Sequence, residues 1–459
     1  MRNRRLFCPL FLIGKFFLPV SAAILAFGCS SSTTTETGPL QDPNQDSQQP
    51  NSNTQPAAET LPDDSFLLML ARRDLVRVSA VTGDSDVLYT YPSVNYTFVG
   101  PPDVVGNHVI LGDTRNTMNA INLDTGELDW SFRFTATDGS TSAFVCADPV
   151  CYAVDAEGLL FAIDVRIASS LQPDDDPLKP LVWYTELNTD ITADADSLEH
   201  RALLVQGDYI YAATEYGDDD ATATLQILDR ETGALVHTIA LGEIALGVPV
   251  IKDGLLLVAT LTSIRAYSVD SYDLIWQTDF DGSNGLRGTN EMAVAGDIVV
   301  ITSNVVNERL AVFVGLNVNT GKALWTTNSG TGDTRFSPQT DGTTIYSMKS
   351  ELCSAIAFGP CSSGTPIALN PQTGDVLWGE DAKYTAEDEP LVAAGSLYFG
   401  ELFESEFGSS NRFGFMAIDT ATAEINLVAP QVSILYTDTP ILVSNGEVFR
   451  TNVFPTYIP

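Results

Sequence analysis

Between residues 63 and 459 the apolar residues fall in short runs rich in Val, Ile, Leu and aromatics, broken by Gly, Asn and Asp. In residues 248–258, two apolar runs meet at Asp253-Gly254. Asp-Gly between such runs is a strong hairpin signal, because both turn positions need positive φ. The same reading predicts hairpins at 205–211, 391–399 and 440–450, around Gly207, Gly395 and Gly446. No stretch keeps a 3.6-residue apolar period over helical length, so the pattern predicts strands joined by tight turns.

A longer period lies over these hairpins. A polar anchor is followed by Thr-Gly and then by tryptophan: Asn122…Thr125-Gly126…Trp130, Asn317…Thr320-Gly321…Trp325, and Asn370…Thr373-Gly374…Trp378. Ser268…Trp276 keeps the ends but has Tyr272 where glycine belongs, and Asp164 reaches Trp183 across an insertion. All five tryptophans of the chain therefore share one phase. Worn copies at Ser79, Asp229 and Asp419 carry Val87, His237 and Leu427 at that phase, which makes eight units. The anchors recur on average roughly every 49 residues, close to the period of a four-stranded propeller blade.

Within each unit the order is hairpin, third strand, Thr-Gly turn, and a fourth strand opening at tryptophan. Glycine suits a turn position of positive φ, and tryptophan a large, mostly buried position with one polar handle. Small residues two before the anchor (Ala120, Ala162, Ala266, Gly315, Ala368, Ala417) are expected to let neighbouring sheets approach. The C-terminal hairpin has no motif after it, and the first motif, Ser79…Gly83, has no complete hairpin before it. Joined, the two fragments close a ring with strands from both termini. Residues 66–70 form a further apolar run that this scheme does not place. The expected fold is all-β, an eight-bladed propeller spanning 63–459.

The anchor-x-x-Thr-Gly-x-x-x-Trp pattern resembles the PQQ-type repeat. That repeat builds the eight-bladed propellers of quinoprotein dehydrogenases and of the propeller lipoprotein in the bacterial outer-membrane barrel-assembly machinery. The resemblance covers roughly residues 65–455 and carries the fold, since its residues hold blades together. It implies, as one reading, a non-enzymatic envelope scaffold. The Gly-His and Trp-Asp signatures of WD40 blades are absent.

The N-terminus reads as a targeting segment. Arg2, Arg4 and Arg5 precede an apolar stretch ending in Ala26-Phe27-Gly28-Cys29, which resembles a lipobox although Leu25 stands four, not three, places before the cysteine. The expected organisation is a lipoprotein signal at 1–28, lipid on Cys29, a Ser/Thr/Gln/Pro-rich tether over 29–62, and the propeller. Ser30 in place of an aspartate favours the outer membrane, facing either the periplasm or the surface.

Cysteine usage agrees with export. Cys146 and Cys151 straddle a tight hairpin turn, and Cys353 and Cys361 bracket a short loop; both pairs are expected disulfides. The formal net charge is −36. That argues against nucleic-acid binding and against docking on anionic lipid, both of which need a basic surface. The acidic runs at 174–176, 218–220, 380–381 and 387–389 lack calcium-loop spacing and read as solvated loops.

No P-loop, Gly-x-Ser-x-Gly or His-Glu-x-x-His occurs, and His108, His200 and His237 read as structural. Quinoprotein sites carry adjacent cysteines, and no two cysteines adjoin here, so no cofactor, metal or catalytic residue is expected. Function then falls to the irregular loops. With strands lettered A to D from the channel outward, the insertions 215–222, 303–309, 350–364 and 402–412 are B–C loops, and 379–389 is a D–A connector on the same face. The insertion at 165–182 is C–D, on the opposite face. The B–C face is the expected surface for a protein or peptide partner of a monomeric propeller, with Phe403, Phe407 and Phe413 as apolar anchors. The alternatives are a propeller binding another ligand at the surface or in the periplasm, and a quinoprotein-type oxidoreductase.

Overall fold

Each repeat folds as an antiparallel sheet in which strands A to D follow chain order. Blade 2 comprises Phe98–Val105, His108–Asp113, Thr117–Asn122 and Leu128–Arg133. Blade 3 comprises Ala143–Ala147, Val150–Val154, Leu159–Asp164 and Leu181–Glu186. Blade 4 comprises Ala202–Gln206, Tyr209–Thr214, Thr224–Asp229 and Leu235–Ala240. Blade 5 comprises Ala245–Lys252, Leu255–Thr260, Ser263–Ser268 and Leu274–Asp279. Blades 6, 7 and 8 have their A strands at Ala293–Ala295, Gln339–Thr340 and Leu391–Ala393 and their D strands at Ala323–Thr331, Val376–Trp378 and Ile425–Ser433. This computed structural model describes residues 61–450 except 72, 94–97, 135–142, 156–157, 170–178, 188–201, 215–222, 244, 284, 288–291, 307, 309, 332–335, 351–363, 380–389, 404–411 and 434–439. The chain divides into two units, 1–53 and 54–459, and the described residues lie in the second.

Blade 1 closes the ring. Its sheet runs Ser85–Thr90, Asp74–Ser79, Phe66–Ala71, Ile441–Ser444, Glu447–Phe449. The unplaced run at 66–70 is thus strand B, antiparallel to strand C on one side and to the C-terminal strand on the other, with Phe66 opposite Val443. The N-terminal hairpin is thus B to C, strand A comes from Ile441–Ser444 so that strands from both ends close the blade, and Glu447–Phe449 becomes a fifth strand on the channel side. Cooperative strand pairing has taken in a hairpin that lacks any Asp-Gly or Asn-Gly signal.

The core is divided among the seams. Among the described residues eight buried apolar clusters occur, each shared by two consecutive blades. Middle strands are covered on both faces, which explains their continuous apolar runs. In strand B of blade 2, Val109 and Leu111 face blade 1, and Ile110 faces blade 3. One helical turn, Val165–Ala168, opens the C–D insertion of blade 3 and is capped by the Asp164 carboxylate.

Candidate binding surface

The motif residues are occupied in holding the blades. Each polar anchor caps its own C–D turn: Asn122 Oδ1 accepts from the Asp124 and Thr125 amides, Asn370 Oδ1 from Gln372 and Thr373, and Asp419 Oδ1 from Ala421 and Thr422. The threonine hydroxyl accepts from the residue after the glycine, as in Thr125 with Glu127. These are side-chain-closed turns, and the position after threonine takes positive φ whatever residue fills it. Gly321 and Gly374 lie at φ +67° and +74°, and Tyr272 and Ala423 at 59° and 60°.

The tryptophan of one blade lies on the turn of the next. Trp183, Trp276, Trp325 and Trp378 donate Nε1–H to the carbonyls of Arg230, Val318, Pro371 and Thr420 at 3.2, 2.8, 2.8 and 2.9 Å. Each acceptor is the residue after the next blade's anchor. The rings cover the glycines of those turns: a Cβ on Gly233, Gly321 or Gly374 would meet Trp183, Trp276 or Trp325 at 2.5 Å or less. Trp130 meets the helical turn of blade 3 instead and donates to Ser169 Oγ at 3.0 Å. Where Val87 replaces tryptophan, Arg77 Nη1 reaches the equivalent carbonyl, Leu123 O, at 3.3 Å.

The alanines two before the anchors lie in the clusters shared by neighbouring blades, and their size also answers to a tryptophan. The small residue stands directly across from the tryptophan of its own blade: Ala120 from Trp130, Ala162 from Trp183, Ala266 from Trp276, Gly315 from Trp325, Ala368 from Trp378. A Cβ on Gly315 would lie 2.1 Å from Trp325 Cε2. Smallness there makes room for the indole to fold over its own sheet.

The loop face is uneven. Blades 2 to 5 meet it with tight B–C turns or with 215–222, which lies outside the described residues. Two carboxylates on this side are held within the fold. Asp113, fully buried, accepts from Tyr91 Oη at 2.8 Å, Asn119 Nδ2 at 3.1 Å and the Arg115 and Thr117 amides. Burial, with that carboxylate as acceptor, holds the Tyr91 hydroxyl well above the usual phenol range. Glu243, on the connector from blade 4 to blade 5, accepts from Thr262 and Ser263 and pairs with Arg265. Burial raises its pKa, but hydrogen bonds from Thr262, Thr260 and Ser263 and the Arg265 charge prevail and lower it.

Blades 6 and 8 rise higher. Their B and C strands, Ile298–Val305 with Leu310–Asn317 and Ser396–Phe403 with Arg412–Asp419, have eight residues each, against six in the B and C strands of blade 5. Two more rungs add about 7 Å toward the B–C side. Between them, blade 7 carries its B–C loop from Ser350 to Gly364. A parallel bridge, Gly330 to Ser350, merges blades 6 and 7 into one sheet, and Leu286–Arg287 adds a short strand to the same rim. The expected loop 402–412 is shorter than the sequence suggested, because Phe403 and Phe413 stand in strands, opposite Arg412 and Leu402. Phe407, Cys353, Cys361, Cys29, His200 and the acidic runs lie outside the described residues.

Cys146 and Cys151 face each other across the A–B hairpin of blade 3 and form a disulfide, with Cα atoms 4.0 Å apart. His108 Nε2 lies 2.8 Å from Asp129 Oδ2, which also accepts from Asn122. The Asn122 hydrogen bond and the His108 contact lower the Asp129 pKa. His237 stacks on Tyr272, centroids 4.7 Å apart. Among the described residues no three His, Cys, Asp or Glu side chains group to hold a metal ion. One feature escaped the sequence reading: Asp103, 4% exposed on strand A of blade 2, accepts from the Cys146 amide of blade 3 at 2.8 Å and pairs with Arg450 of blade 1. Burial pushes its pKa up, against Arg450 and two backbone amides. A carboxylate between Pro102 and Val104 in an apolar strand was the available signal.

Comparison with known proteins agrees with this architecture. The family model described as outer membrane protein assembly factor BamB matches residues 180–338. The BamB of Shewanella oneidensis is 29% identical over 180 residues, 38% of this chain and 42% of that protein, so the match spans less than half of the relative. Among solved structures, BamB from Moraxella catarrhalis superposes with a TM-score of 0.52 at 17% identity, covering 75% of this chain and 91% of that one. A europium-containing methanol dehydrogenase reaches 0.50 at 11%, covering 76% and 83%. At such identities the solved structures show the fold alone.

Proposed function

For a BamB-like propeller of PQQ-type repeats built in this way, we propose a non-enzymatic, lipid-anchored scaffold of the bacterial cell envelope. It binds protein or peptide partners through the loop face and serves outer-membrane protein assembly. The observation that carries this reading is the unequal height of that face. Repeat residues are engaged in turns and seams, whereas the B and C strands of blades 6 and 8 reach further toward this face on either side of blade 7. Elaborated connections on a rigid scaffold are where recognition concentrates. Similarity to BamB supports the assembly role. In the same reading Cys29 carries the lipid, residues 29–62 form the tether, and the anchor lies in the outer membrane.

Mild crosslinking in the envelope followed by co-purification tests the reading. Barrel-assembly components should be recovered with the wild type and lost when residues 404–411 are replaced by a short Gly-Ser turn. Unchanged recovery removes the loop face from the proposal. Cys29→Ser should move the protein from the membrane to the soluble fraction. Titration with pyrroloquinoline quinone and calcium tests the quinoprotein alternative, and saturable binding would favour it.

A further inference from the structure

The outer strand of a propeller blade is a sheet edge, and exposed edges are usually guarded by charge, proline or cover. Most of the outer strands here follow that rule. Ser85–Thr90 carries Asp86, Leu128–Arg133 carries Asp129, Leu181–Glu186 carries Glu186, Leu274–Asp279 carries Asp279, and Ile425–Ser433 carries Pro430. Ala323–Thr331 follows Lys322 and is bridged by blade 7 at Gly330, and Val376–Trp378 is only three residues long. Leu235–Ala240 of blade 4 is unguarded along its whole length. It ends its sheet, has neither charge nor proline, and exposes five of six residues, with Leu235 and Val236 at 46% and 47%.

Its neighbours extend the apolar surface. Val182 and Tyr184 on blade 3 and Leu274 and Ile275 on blade 5 are exposed to 50–62%. Trp183 packs on Gly233, just before Leu235, and His237 stacks on Tyr272, just before Leu274, so the three strands adjoin. The charges around this stripe are mostly acidic. Glu231, Asp270 and Asp273 lie in the flanking turns, with Lys179 ahead of the blade 3 strand. Arg230 folds back on blade 3, donating to Tyr152 Oη and Ala147 O.

We propose that the edge Leu235–Ala240 is a docking site for an extended segment of another polypeptide in which basic and apolar residues alternate, added as a fifth strand to blade 4. Main-chain pairing provides the affinity and alternate side chains the selection. The acidic turns select positive charge, and the same charges oppose pairing between two copies of a chain at −36. The surface is separate from the loop face, and either can fail without the other.

The amide of Leu241 returns to Ala223 O in strand C. By the two-residue alternation of an antiparallel ladder, His237 and Ile239 also point inward, whereas Thr238 and Ala240 offer their N–H groups outward; Val236 is the extra residue of a bulge. Thr238→Lys guards the edge without touching the blade's own ladder. Gln277→Lys, at the corresponding place in blade 5, is the control for charge. Fluorescence-labelled alternating Lys-Val and Glu-Val peptides are titrated against each protein by anisotropy at physiological salt, with melting curves confirming the fold and sedimentation following self-association. The Lys-Val peptide should bind wild type and Gln277→Lys alike and Thr238→Lys about tenfold or more weakly, while Glu-Val should not bind. Equal binding to Thr238→Lys, equal binding of Glu-Val, or a wild-type dimer that Thr238→Lys dissolves would each overturn the proposal.

Discussion

His237 and Tyr272 occupy the positions where other seams have a tryptophan and the glycine beneath it. A large ring over no side chain has become two medium rings stacked at 4.7 Å. Tyr272 accepts φ 59°, which costs a non-glycine residue about 1 kcal/mol. The exchange is concerted, so its parts should not be separable. His237→Trp alone should destabilise by about 1–3 kcal/mol through overpacking on Tyr272. Tyr272→Gly alone should be near neutral, since relief of strain offsets the lost stack. The double variant should restore the usual latch, with a coupling of about 1–3 kcal/mol in denaturant unfolding. Additive effects would show that the two rings do not compensate for each other.

At the scale of strands and turns, the Thr-Gly-x-x-x-Trp spacing was readable because each of its residues answers a local demand: a cap, a positive φ, a ring over a turn. The small residue opposite tryptophan was visible, but the ring across from it was not, because register across a bulge decides what it faces. The N-terminal hairpin, without a turn signature, was recoverable only from its pairing partner some 375 residues away. Asp103 and Arg450, likewise, are 347 residues apart. Glu243 had no signal at all, since connector acids are common in so acidic a chain. Its pKa is lowered from 4.5, so its contribution to stability is complete above about pH 4.5 and is lost as pH falls through the lowered value. Glu243→Gln should therefore lower stability by roughly 2 kcal/mol at neutral pH. The gap to wild type should close as the medium becomes more acidic than pH 4.5. A gap that is constant into strong acid would exclude an ionic role for Glu243.

In the whole propeller, stability is distributed around eight seams, and blade 1 joins strands from the two ends of the described chain. Asp103 joins blades 1, 2 and 3 through Arg450 and the Cys146 amide. Arg450→Met leaves a buried carboxylate with only backbone donors. It should cost about 2 kcal/mol and speed unfolding, with Asp103→Asn/Arg450→Met recovering part of the loss. The charge is what the double variant removes, so an equal loss in both would point to packing instead.

The fifth strand of blade 1 also decides on which side of the disc a handle can be attached. Residue 65 meets the C-terminal strand at Ser444, beside the A–B and C–D turns. Four strands would return the C-terminus to that same side. Glu447–Phe449 reverses once more, so that Arg450 follows on the side of the B–C loops. A reporter placed at Arg450 would therefore stand on the side of the long strands of blades 6 and 8. Immobilisation from the side of Ser65 presents those strands to solution, and binding assays should be oriented that way.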